Sequence, residues 1–374
     1  MKTKRSDILT CVLFCTFLAI MFALYLVLPG QSFSEKEKRV LAENPQLTWD
    51  TLASGEYGEK IETYLADHIP GRDFFVGLNA YYDLLSGRQV TKDVYLAEGD
   101  RIVEKPVVWN DAQVQKNMKA INAFAETIGQ KVDLMIVPSA GFYLQDSVKG
   151  LADPYTDDAI IGSIYDLAGD NVTGVDLTGV FGNVEDPGSL YYRTDHHWTS
   201  KGAYLAYQGY MQSLGREFTA QDAFTVTTHG GFYGSTYSRS GLWLTGSENV
   251  ELWDSGKEFT VTNTETNEVH DGLFYEERLE ELDKYTVYLD GNHTLVRIQN
   301  PAAAGKGKLL VIRDSYANCL GTFLAESYEE VVLIDLRYYK NPVSELLATE
   351  EFTDVLVSYS IGNFMTDANV IWLR

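Results

Sequence analysis

The sequence predicts an α/β fold in which a parallel sheet lies between two layers of helices, with a β-rich insertion and one N-terminal transmembrane helix. Three observations predict it. Apolar, β-branched runs at Val132–Val137, Leu309–Ile312, Val331–Leu336 and Asp354–Tyr359 alternate with helical patterns. From about Phe218 to Gln299 the texture changes to Thr, Gly, Tyr and Glu in alternating patterns such as Phe259-Thr-Val261-Thr, which suits antiparallel strands and loops. The stretch Ile8 to Leu28 is uncharged and mainly apolar, and at about 1.5 Å per residue it matches the roughly 30 Å core of a bilayer.

From the N-terminus, Lys2-Thr3-Lys4-Arg5 precedes the apolar run and an acidic bulk follows it. The positive-inside rule then sets residues 1–7 in the cytoplasm, residues 8–28 as a signal anchor and everything beyond Pro29 outside the cell membrane. A cleaved signal peptide is the alternative, but the run exceeds a typical signal core and Leu26-Val27-Leu28-Pro29-Gly30 is a poor cleavage site. Residues 29–92 read as a stalk and helical extension. Gln31 to Leu47 is charged and without period, suiting a stalk or a segment on the domain surface. Trp49 to Leu85 is helical, with apolar residues at three- and four-residue spacing through Tyr57–Ile69 and a stop at Pro70-Gly71. His68 at that helix end has a structural role.

Residues 93–374 form the main domain, interrupted by the insertion at about 218–299. Val94–Ala97 and Arg101–Val103 predict a hairpin around Glu98-Gly99-Asp100, Gln113–Ile128 an amphipathic helix, Val132–Val137 a buried strand ended by Pro138, and Val172–Asp176 the next strand. Ala203–Leu214 is a further helix. Within the insertion, His229-Gly230-Gly231-Phe232-Tyr233-Gly234-Ser235 is either an aromatic binding loop or a plain turn. His270 and His293 are isolated in polar surroundings and expected to be solvated.

A hydrophobic share of 45% with 24 Tyr and 17 Phe supplies ample core or an aromatic-lined cleft. The net charge of -23 excludes nucleic acid as a partner, because binding a polyanion needs a basic surface; a neutral or carbohydrate partner fits. Cys11 and Cys15 fall in the membrane segment, leaving Cys319 with no internal disulfide partner. It reads as a small packing residue on the helix after Ser315.

The chemistry concentrates in Tyr191-Tyr192-Arg193-Thr194-Asp195-His196-His197-Trp198, which holds two of the six histidines. An imidazole is the usual proton shuttle near neutral pH, and an aspartate two positions away in an extended segment can orient it. In such a segment His196 points away from His197, and Trp198 is either a packing anchor or a sugar platform. The nucleophile candidate is Ser315, where the buried strand Leu309–Ile312 runs into Arg313-Asp314-Ser315-Tyr316-Ala317-Asn318 and a helix begins near Tyr316. A serine there faces its hydroxyl outward with helix N–H groups behind it. Ser358-Tyr359-Ser360-Ile361-Gly362-Asn363 ends the last strand and offers the Asn363 amide as a second oxyanion donor.

With Leu65-Ala-Asp-His-Ile-Pro-Gly-Arg72, Gly234-Ser-Thr-Tyr-Ser-Arg-Ser-Gly241, Leu289-Asp-Gly-Asn-His293 and Ile334-Asp-Leu-Arg-Tyr-Tyr339 in the same order, the chain resembles the DHHW-motif proteins of the SGNH hydrolase superfamily. These are related to membrane-tethered and periplasmic proteins that O-acetylate alginate and similar exopolysaccharides. The resemblance implies an SGNH-hydrolase-like three-layer fold, circularly permuted so that the Asp/His block precedes the serine block. It implies a triad of Ser315 as nucleophile, His197 as general base and acid, and Asp195 as its orienter. The Ser315 N–H and Asn363 would form the oxyanion hole. His196, Arg313, Tyr316 and Tyr192 would contact substrate or support the catalytic side chains. Two departures stand out: Arg313 replaces the glycine usual before Asp-Ser, and the Gly-x-Asn-Asp block appears only as Gly362-Asn363-Phe364.

The expectation is a serine O-acetyltransferase or carbohydrate esterase without cofactor or metal, acting on a cell-surface or exopolysaccharide acceptor. The resemblance also implies acyl supply by a multispanning membrane-bound O-acyltransferase (MBOAT) partner. Transferase and esterase differ in whether a sugar hydroxyl or water takes the acyl group, and both remain open. Two other readings compete: an inactive glycan-binding or scaffold protein of an acylation complex, and a metal-dependent hydrolase with Asp195, His196 and His197 as ligands. Adjacent histidines on a strand diverge, and a metal leaves Asp314-Ser315 unexplained.

Overall fold

The computed structural model describes residues 5–88, 90–148 and 150–373, with the backbone alone for Val90 and Thr91. Lys2, Thr3 and Lys4 of the basic N-terminal run lie outside the described residues. The chain forms two compact units, one gathering the described part of Met1–Thr91 with Ser238–Leu244, the other Lys92–Tyr237 with the described part of Thr245–Arg374.

In the smaller unit, α1 (Arg5–Val27) is long and apolar enough to cross a membrane and buries none of its side chains. Helices α2 (Glu56–His68) and α3 (Arg72–Leu85) follow. Gln31 to Leu47 is a surface segment rather than a free stalk. Phe33–Ser34 pairs antiparallel with Arg39–Val40, and the Asp67 carboxylate accepts from Ala42 N (2.9 Å) and from both terminal nitrogens of Arg39 (2.9 and 2.5 Å). Those bonds hold Asp67 down to a pKa of about 2, the Arg39 hydrogen bond foremost. His68 caps its own helix end through Nδ1 to Tyr64 O at 2.8 Å.

The larger unit opens with the hairpin β1 (Val94–Ala97) and β2 (Arg101–Glu104), turned at Gly99 and Asp100, both with φ in the left-handed region. Helix α4 (Asp111–Ile128) starts where the Asn110 side chain accepts from Gln113 N and stops at Gly129 with φ 62°. Then come β3 (Val132–Val137), α5 (Asp157–Tyr165), β4 (Val172–Val175) and α6 (Ser200–Ser213). The insertion supplies β5 (Thr225–Phe232), β6 (Glu248–Asp254), β7 (Thr260–Asn263), β8 (Glu268–Asp271) and β9 (Leu295–Gln299). Finally β10 (Lys308–Arg313), α7 (Ala317–Leu324), β11 (Glu330–Ile334), β12 (Asp354–Ser360) and α8 (Ile361–Thr366) close the chain.

Eight strands form one sheet in the order β8-β7-β9-β11-β10-β12-β3-β4. The five from β11 to β4 are parallel. The other three come from the insertion and extend one edge antiparallel, while β5 and β6 make a separate antiparallel pair. Alternation along β10 explains the layering. Leu309 and Val311 join the core under α6 and α7, whereas Leu310 and Ile312 join the core under α4, α5 and α8. The result is the predicted three-layer α/β/α arrangement, with the insertion widening its sheet. Parallel strands of this kind deliver functional side chains at their carboxyl ends, where Ser315 and Asn363 follow β10 and β12.

Candidate active site

Asp195, His196 and His197 do not lie in an extended strand. They occupy a tight bend closed by the Tyr191–Trp198 bridge and by Tyr192 N to His197 O at 3.2 Å. The bend turns both imidazoles the same way, so the rings of His196 and His197 sit 3.9 Å apart instead of facing opposite sides. The β-strand alternation expected for them fails because helix α6 begins three residues after His197. The Thr199 side chain accepts from Gly202 N (3.4 Å) as its N-cap, and the chain must curl to enter it. Trp198 is fully buried and donates Nε1–H to Tyr316 O at 3.0 Å.

Across 118 residues of sequence, His197 Nε2 lies 2.7 Å from Ser315 Oγ. On its other side Nδ1 lies 2.5 Å from Asp195 Oδ1, which also accepts the His197 backbone N–H at 2.8 Å. Asp195 Oδ2 takes the Ser235 N–H at 2.6 Å. Burial by itself would raise the Asp195 pKa. The neighbouring His197 and His196, with the hydrogen bonds from His197 and Ser235, outweigh it and hold the carboxyl well below the usual carboxylate range. A buried carboxylate at Nδ1 fixes the ring with its proton on that side, leaving Nε2 to accept from the serine.

Ser315 is positioned by its neighbour. Asp314 Oδ1 accepts from Tyr316 N (3.0 Å), and Oδ2 accepts from Ser360 N and from Asn363 Nδ2, each at 2.8 Å. That carboxylate ties the exit of β10 to the exit of β12. One hydrogen of the Asn363 amide is therefore committed to Asp314. The Ser315 N–H donates to no described residue. Tyr316 clamps the Asp195–His197 bend to the segment that carries Ser315: its hydroxyl donates to His196 O, and its carbonyl accepts from Trp198 and from Tyr285 OH (3.3 Å).

Arg313 is wholly buried rather than open to a substrate. Its Nη1 donates to Asn292 Oδ1 at 2.8 Å and stands 3.7 Å from Asp335 Oδ2, while Asp335 is itself gripped by Arg337. Asn292 is presented by Leu289, Asp290 and Gly291, three successive residues at φ 55°, 60° and 78°. Two of them are not glycine, so this turn stores strain beside the site. Tyr192 lies behind the site, its ring against Phe232 and its hydroxyl 3.4 Å from that of Tyr288. Cys319 is buried and its thiol pushed up to about 12 by burial, consistent with a packing residue.

Sequence reasoning missed the contribution of the insertion. Tyr285 stacks on His197 with ring centres 3.9 Å apart and planes 8° from parallel. Glu248 accepts from Arg193 N and Thr194 N, both at 2.7 Å, fixing the bend from below. His229-Gly230-Gly231 belongs to β5, with an irregularity between His229 and Phe232 where Gly231 takes φ 80°, and is not a free loop. Its continuation brings Gly234 so close to Asp195 that a Cβ there would stand 2.1 Å from the Asp195 Cβ. Gly234→Ala is therefore expected to push the Asp195 carboxylate out of line and lower turnover about a hundredfold or more, with far-ultraviolet circular dichroism retained. His270 and His293 are engaged, not solvated. His270 stacks on Tyr275 at 3.9 Å, and His293 bridges Asp290 (3.1 Å) and Asn263 (2.9 Å).

Asp195, His196 and His197 present ligand atoms within 4.8 Å of one another, so their side chains do not diverge as a strand would make them. A cation there would have to displace bonds already made, since both His197 nitrogens and His196 Nδ1 are engaged with Ser315, Asp195 and Ser235. The donor set fits a proton relay better than a metal centre.

His196 is held below its usual pKa by burial, with the neighbouring His197 adding to it. The unfolded chain, with a histidine near about 6.5, then binds more protons than the folded one. Stability accordingly rises with pH through that window and falls as pH drops below about 6.5. His196→Gln is expected to flatten this acid limb, read from thermal unfolding midpoints across that range.

Ser315, His197 and Asp195 stand in a hydrogen-bonded series beside the carboxyl end of β10, on a three-layer α/β/α fold. The chain belongs to the DHHW family: the family model described as "DHHW protein" matches residues 115–334, more than half of the sequence. A DHHW family protein from Eubacterium siraeum shares the fold at 21% identity and TM-score 0.67, over 76% of this chain and 95% of that one. Bacillus cereus PatB1, solved with a sulfonyl adduct, aligns at 20% identity and TM-score 0.62, over 75% of this chain and 97% of its own. No curated protein sequence matches the chain.

Proposed function

We propose that this protein is a membrane-anchored, outward-facing serine acyltransferase that carries acetyl groups onto hydroxyls of a cell-surface polysaccharide. The observation that carries the reading is the Asp195–His197–Ser315 series at 2.5 and 2.7 Å. His197 takes the Ser315 proton as Oγ attacks the donor carbonyl, then gives that proton to the leaving group. In the second half-reaction the acceptor hydroxyl loses its proton to His197, attacks the acyl carbon and expels Ser315. The developing oxyanion is met by the uncommitted Ser315 N–H and the remaining hydrogen of the Asn363 amide. A donor of this kind is worth on the order of 3 kcal/mol. Helix α1 anchors the catalytic unit beside the membrane, and a multispanning O-acyltransferase supplies acyl groups from the other side. A sulfonyl adduct is what an activated serine forms, and PatB1 is described with one.

The test is intact-mass analysis of the full chain in detergent after p-nitrophenyl acetate or a sulfonyl fluoride, with and without a chelator. An adduct mapped to Ser315 and indifferent to chelation is expected. Turnover abolished by chelation, with no adduct, would sink the serine mechanism and favour the metal reading. Absence of both turnover and adduct would point to a scaffold.

A further inference from the structure

His196 stands apart from the catalytic groups it touches. Its side chain is 25% exposed, against 8% for that of His197 and 3% for that of Asp195, and Ser315 as a residue is 8% exposed. The ring is fixed on three sides. Nδ1 lies 2.5 Å from Ser235 Oγ, the plane leans on His197 at 3.9 Å, and Tyr316 stands 5.7 Å away edge-on. Asp195 Oδ1, at 3.5 Å from Nδ1, is too far to bond it and is already used by His197. Whichever of Nδ1 and Ser235 Oγ donates, that bond occupies Nδ1, and Nε2 hydrogen-bonds to no described residue. Nε2 is thus a donor or acceptor on the more exposed of the two imidazoles, whose ring is fixed beside His197. Ser235 links the two roles, because its N–H orients Asp195 while its hydroxyl orients His196.

Resting on the acyl-transfer reading above, we infer that His196 is the positioning residue for the acyl acceptor and selects a vicinal diol of a pyranose. One sugar hydroxyl bonds Nε2 of His196, which sets its neighbour against Nε2 of His197. That second hydroxyl gives its proton to His197 as its oxygen attacks the acyl carbon. The bond from that carbon to Ser315 Oγ breaks, and the serine recovers the proton. Water and simple alcohols lack the second hydroxyl and gain nothing from His196. A site that bonds one hydroxyl to place another therefore favours transfer over hydrolysis. The net charge of -23 directs this toward neutral hexose chains rather than acidic ones.

The experiment uses the full chain in detergent with p-nitrophenyl acetate as donor and cellopentaose, maltopentaose or n-propanol as acceptor. It reads the ratio of acetylated acceptor to free acetate. His196→Ala is expected to lower that ratio for the oligosaccharides about tenfold more than for n-propanol, and His196→Gln, which keeps a hydrogen-bonding group there, to restore much of it. A merely structural role for His196 lowers transfer and hydrolysis together and leaves the ratio alike for all acceptors, which overturns the inference. So does a wild type that hydrolyses but transfers to neither oligosaccharide, with the serine chemistry left standing. No acyl-Ser315 in the wild type defeats the acyl-transfer reading and this inference with it. Should the His196 variants fail to fold, nitrogen-15 histidine spectra of Ser315→Ala decide the matter. Cellopentaose or maltopentaose should shift the Nε2 resonance of His196, and no shift with either speaks against the contact.

Discussion

Ser315→Ala lowers acyl turnover by at least about a thousandfold and removes every covalent adduct, while thermal stability stays close to wild type. The size follows from the role proposed for Oγ: without it no acyl-enzyme forms, and only the oxyanion donors and binding remain to assist direct attack by water. The small stability effect follows from what is lost, a single 2.7 Å hydrogen bond to His197 and almost no volume. Burst kinetics with p-nitrophenyl acetate, with unfolding midpoints for both proteins, check the pair of expectations together. A variant that keeps its turnover would remove the serine from the mechanism outright.

Asp195→Asn is expected to cost about ten-thousandfold in turnover, the magnitude seen when the orienting carboxylate of a serine triad loses its charge. Both carboxylate oxygens of Asp195 act only as acceptors here, Oδ1 toward two groups of His197 and Oδ2 toward Ser235 N. An amide replaces one of them with a donor. If its nitrogen faces His197, two donors oppose each other and the ring is driven to the wrong tautomer; if it faces Ser235, the strand continuation through Gly234 is pushed away. Neither orientation satisfies the site. The pH–rate profile distinguishes this from simple unfolding. A variant with the wrong tautomer regains activity at high pH, where hydroxide takes the Ser315 proton in place of His197 Nε2, whereas an unfolded one does not.

The fold was legible because its signals are local. Leu309–Ile312 and Asp354–Tyr359 are apolar on both faces, a pattern that only a strand covered on two sides explains, and Gln113–Ile128 carries the spacing of an amphipathic helix. Ser315 and Asn363 could be named as candidates because each follows such a strand, and Asp195 and His197 because the Asp-His-His-Trp stretch resembles that of the DHHW-motif proteins. The turn at 193–197 was misread. Alternation is the default for a short polar segment between aromatics, and only the Tyr191–Trp198 bridge and the contacts of Glu248 from β6 convert it into a bend. The same gap hid Tyr285, whose surroundings in sequence carry no periodic or motif signal.

By itself, then, the sequence determined the layer order of the sheet, the apolar N-terminal helix and the chemical types that meet at the carboxyl ends of the parallel strands, since backbone periodicity and side-chain polarity are written residue by residue. The tertiary structure alone decided that His196 lies beside His197, that Asn363 braces Asp314, that Arg313 is buried away from substrate, and that Gly234 and Tyr285 from the insertion complete the site. Those arrangements depend on contacts between segments tens to more than a hundred residues apart. Such contacts are fixed by close packing and hydrogen-bond saturation of the whole core, and no local pattern encodes them.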